Sequence, residues 1–101
     1  DLARPQPNYN KTAGYTQTEI DGLSLILSNG FKDTFRELHP NTIQYSWWSF
    51  RANARANNKG WRIDYLSVTD NLVPTLESCA DYREVKHSDH CAVELNLAWK
   101  I

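Results

Sequence analysis

One short stretch organises the rest of the chain, namely Gly60-Trp61-Arg62-Ile63-Asp64-Tyr65. Together with residues 66–68 it forms a run of aromatic and branched side chains, a composition that is typical of a β-strand. Asp64 is unusual in such a run, because aspartate is depleted in strands and is rarely buried without a partner. We therefore expect Asp64 to lie either at a solvated strand edge or beside a cationic or hydrogen-bonding group.

The candidate partner of Asp64 is the polar cluster His87-Ser88-Asp89-His90, which precedes the last apolar stretch of the chain. A carboxylate held against an imidazole fixes the tautomer of the ring and raises its basicity, as in many hydrolytic sites. We therefore expect Asp64 and His90 to lie within hydrogen-bonding distance, on neighbouring strand ends at one rim of a sheet. The alternative interpretation of the same two residues is a purely structural buried pair.

The composition indicates one ordinary domain, because 101 residues lie near the common domain size. The net charge of -1 argues against a stand-alone nonspecific DNA binder, although it leaves a local basic groove open. Cys79 and Cys91 form neither a metal-ligand spacing nor a disulfide framework, so they predict buried free thiols in a reducing, intracellular compartment. No apolar run could span a membrane, and neither a signal peptide nor a membrane partner is expected. Because the chain opens at Asp1 without methionine, we expect a piece of a longer protein.

Local signals predict the remaining helices and strands. The capping box Thr16-Gln17-Thr18-Glu19 and the pair Asn29-Gly30 predict the two ends of a helix. A shorter helix is expected over residues 33–38, with Phe31 and Phe35 on its buried side and Pro40 at its end. The full prediction is a loop over residues 1–15, helices over 16–29, 33–38 and 69–76, and strands over 45–50, 60–68, 79–85 and 91–97.

Two aromatic residues in the first predicted strand, Trp47 and Trp48, are neighbours in sequence and should therefore point to opposite faces of a sheet. The loop that follows, residues 51–59, carries three positive charges and lies between Trp48 and Trp61. A solvated surface loop is the default interpretation of this segment. The alternative is a surface that binds phosphate groups and stacks bases on the aromatic rings.

Taken together, several motifs give the chain a family resemblance. The two principal ones are residues 60–65 and Ser88-Asp89-His90 before the terminal strand. The others are Tyr45-Ser46-Trp47-Trp48-Ser49-Phe50, Asn53-Ala54-Arg55, Ala13-Gly14-Tyr15-Thr16 and Asp33-Thr34-Phe35-Arg36. In this order and spacing they closely resemble the exonuclease III-type apurinic/apyrimidinic endonucleases of the endonuclease/exonuclease/phosphatase superfamily. A Ser-Asp-His motif alone would be weak evidence for this resemblance, but the whole set of motifs covers essentially the entire chain.

The resemblance implies an α/β fold of the DNase I-like type, a four-layer αββα sandwich of two sheets with helices outside. Residues 1–101 would be the carboxy-terminal portion of such a domain, contributing mainly one mixed or antiparallel sheet and its covering helices. The implied activity is hydrolysis of DNA on the 5′ side of an abasic site, and digestion from 3′ ends, with Mg²⁺ or Mn²⁺. The expected partner is therefore double-stranded DNA that contains abasic sites or 3′ ends.

The resemblance also assigns roles to the active-site residues. His90 would contact the scissile phosphate and stabilise its developing charge, and Asp64 would accept a hydrogen bond from His90 and orient it. Asp89 would lie beside the metal ion, directly or through water. Trp47, Trp61 and Ile63 match the apolar pocket for the flipped-out abasic sugar. The implied DNA-binding residues are Arg51, which would reach into the groove, Arg55, and the loop residues Asn10 and Lys11.

The family's metal-binding glutamate and its Gly-Asp-x-Asn motif would both lie upstream of Asp1. The chain alone is therefore expected to be inactive. It is also expected to associate with itself, since one apolar sheet face would lack its partner sheet. Two other functions stay open. One is a phosphodiesterase of another superfamily branch that acts on sphingomyelin or inositol phosphates, although Trp47-Trp48 and Asn53-Ala54-Arg55 favour the DNA-repair branch. The other is a non-catalytic module that docks DNA or a partner.

Overall fold

The computed structural model describes residues 1–98, and its elements are short. The α-helices are α1 (Pro5–Asn8), α2 (Gln17–Ser28) and α3 (Thr34–Leu38), and a 3₁₀ helix spans Asp70–Thr75. The strands are β1 (Phe31–Asp33), β2 (Trp47–Trp48), β3 (Gly60–Trp61), β4 (Ser67–Thr69), β5 (Leu76–Tyr82) and β6 (Ala92–Leu97). Within the described residues, no helix has the length and apolar character needed to cross a membrane.

The strands pair as three antiparallel ladders, β1 with β4, β2 with β3, and β5 with β6. Single bridges extend the middle ladder on both sides, because Leu2 pairs with Trp61 and Trp47 pairs with His90. The backbone N–H of Trp48 donates to the carbonyl of Asp89 at 3.0 Å, so the residues that lead into β6 lie beside β2. The described residues therefore form three two-stranded antiparallel ladders together with helices, in agreement with the predicted α/β class.

The strand predicted over residues 60–68 is broken in the structure. Regular pairing stops after β3 and resumes only at β4. Between them, the backbone N–H groups of both Ile63 and Asp64 donate to the hydroxyl of Ser46, each at 3.1 Å. Consecutive N–H groups of a regular strand point to opposite edges, so a single acceptor for both requires a local bend. The prediction of one continuous strand was therefore wrong, and Ser46 supplies the physical reason.

The first long helix begins and ends as predicted. The side chain of Thr16 accepts the N–H of Glu19 at 3.3 Å, which satisfies one of the unpaired donors at the start of α2. Asn29 caps its other end, and Gly30 follows with a positive φ of 88°. The buried apolar face of α2 is narrower than the helical spacing of its apolar residues predicts, since Ile26 is 51% exposed.

Phe31 differs from the prediction that placed it on the buried side of a short helix. It lies in β1, pairs with Thr69 of β4, and is 41% exposed. Phe35 is buried in α3 as expected, and Asp33 caps that helix by accepting the N–H of Arg36. A three-residue strand has little local signal of its own, because its pairing partner lies more than 30 positions away in sequence.

The core is organised around Trp48, whose side chain is 1% exposed and packs with Ala54, Cys91 and Tyr45. Its indole N–H donates to Asn58 Oδ1 at 3.1 Å, so the polar atom of this buried ring is satisfied. Trp47 is only half-buried, and the two tryptophans occupy opposite faces as the alternation predicts.

A buried arginine ties the bent segment to the neighbouring elements. Arg62 is 5% exposed and donates two hydrogen bonds to the carboxylate of Asp33, at 3.0 and 2.7 Å. Its guanidinium also lies over the rings of Phe35 and Tyr65, each at 5.1 Å from the centroid. The bidentate pair with Asp33 and the stacking between aromatic faces offset the desolvation cost of this guanidinium, which explains how a charge is accommodated in this segment.

The final hairpin contains the two cysteines, which are free and buried as predicted. β5 begins at Leu76 and ends at Tyr82, three residues earlier at each end than the predicted strand over residues 79–85. Residues 83–91 therefore form an irregular connection, which delivers the Ser-Asp-His motif to the edge of β2.

Candidate active site

The predicted contact between Asp64 and His90 is confirmed. His90 Nδ1 lies 2.8 Å from Asp64 Oδ2, so the ring donates Nδ1–H to the carboxylate. The side chains are 42% and 39% exposed, respectively, which makes this a rim pair and not a buried structural one. The arrangement fixes the tautomer of the imidazole and leaves Nε2 as the nitrogen that can bond to a ligand.

Asp89 lies beside this pair and is held by Trp47. The indole N–H of Trp47 donates to Asp89 Oδ2 at 2.9 Å, and the hydroxyl of Ser88 donates to Oδ1 at 3.2 Å. The hydrogen bond from Trp47 is the main reason that the pKa of Asp89 lies below its usual value. Asp89 is therefore an ionised, oriented carboxylate on the strand edge next to His90.

Three of the proposed site residues share one face of the sheet. Trp47 lies directly opposite Trp61 in the β2–β3 ladder and directly opposite His90 on its other side. Side chains of residues that pair across antiparallel strands point to the same face. Trp61 of β3, Trp47 of β2 and the bridge residue His90 thus form a row on one face, and the bend at Ser46 brings Asp64 to the same row.

An apolar recess of about 700 Å³ lies at the outer end of this row. Trp61 and Ile63 line it on the same face, as alternation predicts, and Tyr65 and α2 complete its walls. The edge of Tyr15 meets Trp61, with 6.2 Å between the ring centroids. Trp47 and His90 are not among the lining residues, so the recess differs from the expected pocket formed by Trp47, Trp61 and Ile63 together.

Gly14 allows the Trp61 ring to close one side of the recess. A Cβ atom at this position would lie 2.7 Å from Trp61 Cη2, and Gly14 has a positive φ of 91°. Both facts require glycine, because other residues would clash with the ring and strain the backbone. The Ala13-Gly14-Tyr15-Thr16 motif is thus partly explained as a support for Trp61.

The four predicted DNA-binding residues have different surroundings. Asn10, Lys11 and Arg51 are exposed. Asn10 has a positive φ of 56° and its Oδ1 accepts the N–H of Gln17 at 2.7 Å, so this side chain helps to begin α2. Arg55 is only half-exposed, and its guanidinium donates to the backbone carbonyls of Arg83, Val85 and Ser88.

The described residues contain no group of three or more His, Cys, Asp or Glu side chains that could hold a metal ion. Asp89 is the one candidate ligand from the sequence prediction, and each of its oxygens already accepts one hydrogen bond. Each carboxylate oxygen has a second lone pair, which is free to coordinate a cation. A hard cation needs about six oxygen ligands, so residues 1–98 do not make a complete site.

Sequence reasoning missed the role of Ser46 and the hydrogen bond made by the indole of Trp47. Ser46 is fully buried and is the acceptor around which Ile63 and Asp64 bend. The only available signal was a small polar residue at a core-facing position of a strand, which requires a hydrogen-bond partner.

Comparison with known proteins defines the class of the fold. The chain matches an AP endonuclease from Archaeoglobus fulgidus with a TM-score of 0.85, covering 98% of this chain and 40% of that one at 23% identity. It matches a Neisseria 3′ phosphatase structure, described as bound to a product DNA hairpin, with a TM-score of 0.90, covering 98% and 40% at 24% identity. The fold is thus the DNase I-like fold of AP endonucleases and exonucleases.

The sequence comparisons are more informative about the family than the structural matches are. The chain is 44% identical to a Bacillus subtilis exodeoxyribonuclease over 96 residues, which cover 94% of the chain and 38% of the relative. It is 40% identical to the DNA repair nuclease APEX1 of Danio rerio over 99 residues, which cover 97% of the chain and 32% of the relative. No protein-family model matches the chain. The resemblance to exonuclease III-type apurinic/apyrimidinic endonucleases is therefore confirmed, and the chain spans less than two-fifths of these relatives.

Proposed function

We propose that this chain forms the His90 side of the active site of a metal-dependent DNA-repair nuclease. The protein that contains it would cut DNA beside abasic sites and remove nucleotides from 3′ ends in base-excision repair. The observation that carries the proposal is the Asp64–His90 hydrogen bond of 2.8 Å, next to an oriented Asp89 carboxylate. The names of the sequence relatives, an exodeoxyribonuclease and a DNA repair nuclease, support the same chemistry.

In this proposal His90 acts on the phosphate. When both ring nitrogens are protonated, Nδ1–H donates to Asp64 and Nε2–H can donate to a non-bridging phosphate oxygen. As negative charge grows on the phosphoryl oxygens during in-line displacement, Asp64 stabilises positive charge on the ring. Preorganised electrostatic contacts of this kind lower the barrier without reorganisation during the reaction.

The apolar recess beside Trp61 and Ile63 would hold the abasic sugar. An abasic nucleotide has no base to unstack, so it turns out of the duplex at lower cost than an intact nucleotide. The exposed Arg51, Asn10 and Lys11 would contact the DNA on either side, and phosphate contacts by such residues position the duplex without reading its sequence.

The cation would be Mg²⁺ or Mn²⁺, with Asp89 as one ligand and the other ligands supplied from outside residues 1–98. When bound, the cation would neutralise negative charge on the phosphate during hydrolysis. On this proposal the chain alone does not cut DNA. The proposed action of the complete protein on DNA, together with the buried free thiols of this chain, fits an intracellular protein.

A complementation assay tests the proposal. The chain is incubated with a duplex that contains one abasic-site analogue, alone and together with the part of the Bacillus subtilis relative outside the matched region. We expect Mg²⁺-dependent cleavage only by the mixture, and loss of that cleavage with His90→Asn. Sedimentation of the same samples should show a complex in the mixture and self-association of the chain alone, because an apolar sheet face is then uncovered.

Two outcomes would contradict the proposal. Cleavage by a monomer of the chain alone would mean that the site is complete without further residues. A stable complex that binds the abasic duplex but never cuts it would favour the docking-module function instead. Intact duplex of the same sequence is the control for nonspecific binding and is measured at two salt concentrations, since phosphate contacts are salt-dependent.

A further inference from the structure

Arg55 makes an unusual set of contacts for a residue in a cationic surface loop. Its Nη1 donates to the carbonyl of Ser88 at 2.8 Å, and its Nη2 donates to the carbonyls of Arg83 and Val85 at 2.8 and 2.7 Å. The guanidinium stacks on the buried ring of Trp48, with 4.6 Å from Cζ to the centroid. Three neutral acceptors and one aromatic face thus surround a single cation.

The three carbonyls belong to the irregular connection between β5 and β6, and Arg83 returns a hydrogen bond from Nη2 to the carbonyl of Arg55 at 2.8 Å. Residues 84–88 of this connection are exposed and outside regular structure. Within it, the backbone N–H of Val85 donates to the carbonyl of Tyr82 at 3.0 Å. An exposed segment with few backbone hydrogen bonds opens locally at low free energy unless side chains hold it.

This segment leads directly to the site. Ser88 precedes Asp89 and His90, and the hydrogen bond from Arg55 ends on the Ser88 carbonyl. On the other side, the N–H of Trp48, the residue under the guanidinium, donates to the carbonyl of Asp89 at 3.0 Å. Arg55 and Trp48 therefore hold the two peptide groups on either side of Asp89.

We propose that Arg55 is a positioning residue, whose guanidinium clamps residues 83–88 so that Asp89 and His90 face Asp64 and Trp47. The inference rests on the proposed function for its catalytic meaning, and it replaces the expectation that Arg55 binds DNA. A phosphate contact requires a positive charge with donors directed to solvent. Here both terminal nitrogens donate to protein carbonyls, and the planar fork lets one residue reach three acceptors at once.

Arg55→Lys separates the two roles, because lysine retains the charge but lacks the planar fork. Amide hydrogen exchange and imidazole NMR are measured on the 101-residue chain without DNA or metal. We expect amides 84–90 of the variant to exchange at least about tenfold faster, equivalent to about 1.4 kcal/mol of opening free energy. Exchange in α2 should be unchanged, and the His90 Nδ1–H signal that reports the bond to Asp64 should broaden or disappear.

Arg4→Lys is the matched control, since Arg4 is exposed and lies outside this cluster. It should leave both measurements as in the parent chain. If Arg55→Lys leaves amides 84–90 protected and the His90 signal sharp, charge alone suffices and the clamp is refuted. If exchange rises equally in α2, Arg55 is a general stabilising residue and the positioning role is also refuted. Neither result depends on cleavage, so failure of the clamp is distinct from failure of the complementation assay.

Discussion

Replacing Gly60 by alanine should destabilise the fold, although alanine is favoured over glycine in most backbone conformations. A Cβ atom on Gly60 would lie 2.5 Å from Trp48 Nε1, 2.7 Å from Trp48 Cδ1 and 2.7 Å from Tyr45 Cβ. The Trp48 side chain is 1% exposed and its Nε1 is hydrogen-bonded to Asn58, so the ring cannot move away without losing contacts. The methyl group therefore has no space.

Overpacking of this kind costs about 1–3 kcal/mol, and the reduced entropy of the unfolded chain returns about 0.4–1 kcal/mol. We expect Gly60→Ala to lower the free energy of unfolding by about 1–2 kcal/mol. For a chain of this length each kcal/mol corresponds to about 4–8 °C in Tm. Urea unfolding, followed by tryptophan fluorescence at one fixed protein concentration, measures the change.

Gly22 provides the opposite control with the same substitution. It lies inside α2, and a Cβ atom there would meet nothing within 4 Å. Gly22→Ala should therefore raise the free energy of unfolding by about 0.5–1 kcal/mol, because alanine is the better helix residue. If Gly60→Ala proves as stable as the parent chain, the close packing of β3 on Trp48 is refuted, whatever the result for Gly22.

Three other features are tested by substitution, one of them with a matched control. Thr16→Ala removes the helix cap and should cost about 1 kcal/mol, measured by urea unfolding; no change would contradict the cap. Asp33→Asn removes the carboxylate that accepts two hydrogen bonds from the buried Arg62, and Asp1 Oδ2 remains 3.5 Å from Arg62 Nε, so the substitution should cost about 3 kcal/mol, the lower end for breaking a buried ion pair. Asp70→Asn, from an exposed ion pair, should cost less than about 0.5 kcal/mol, and equal losses would refute the burial argument. Burial raises the pKa of Asp81, whose carboxylate oxygens lack hydrogen-bond partners in the described chain. A raised pKa favours folding at low pH and loses that contribution as pH rises through the raised value. Asp81→Asn should therefore be more stable than the parent at pH 7, with a difference that shrinks towards pH 4, and a pH-independent difference would exclude this cause.

Features encoded by neighbouring residues could be predicted well from the sequence. The Thr16–Glu19 capping box and the Asn29-Gly30 pair give both ends of α2, since helix termini depend on side chains within one turn. The opposite faces of Trp47 and Trp48 follow from alternation alone. These elements need no knowledge of distant contacts.

Some features that depend on distant partners left no signal in the sequence. β1 is a strand because Phe31–Asp33 pairs with β4, and no sequence pattern within β1 indicates this pairing. The acceptors of Arg55 are backbone carbonyls roughly 30 positions further on, which every residue possesses and no sequence pattern marks. From the sequence, a cationic side chain such as Arg55 in a polar loop suggests contact with a ligand. In the structure, its partners are backbone carbonyls of the same chain.

The contact between Asp64 and His90 was predicted better from the hydrogen-bonding needs of the side chains than from the alternation of residues along a strand. His90 pairs with Trp47, and Trp47 pairs with Trp61, so all three side chains share a face. Strict alternation from Trp61 would place Asp64 on the opposite face, away from His90. The bend at the Ser46 hydroxyl removes this conflict and allows the bond of 2.8 Å. The requirement that a carboxylate in an apolar run finds a partner therefore predicts this contact correctly, even though the continuous strand assumed around it does not exist.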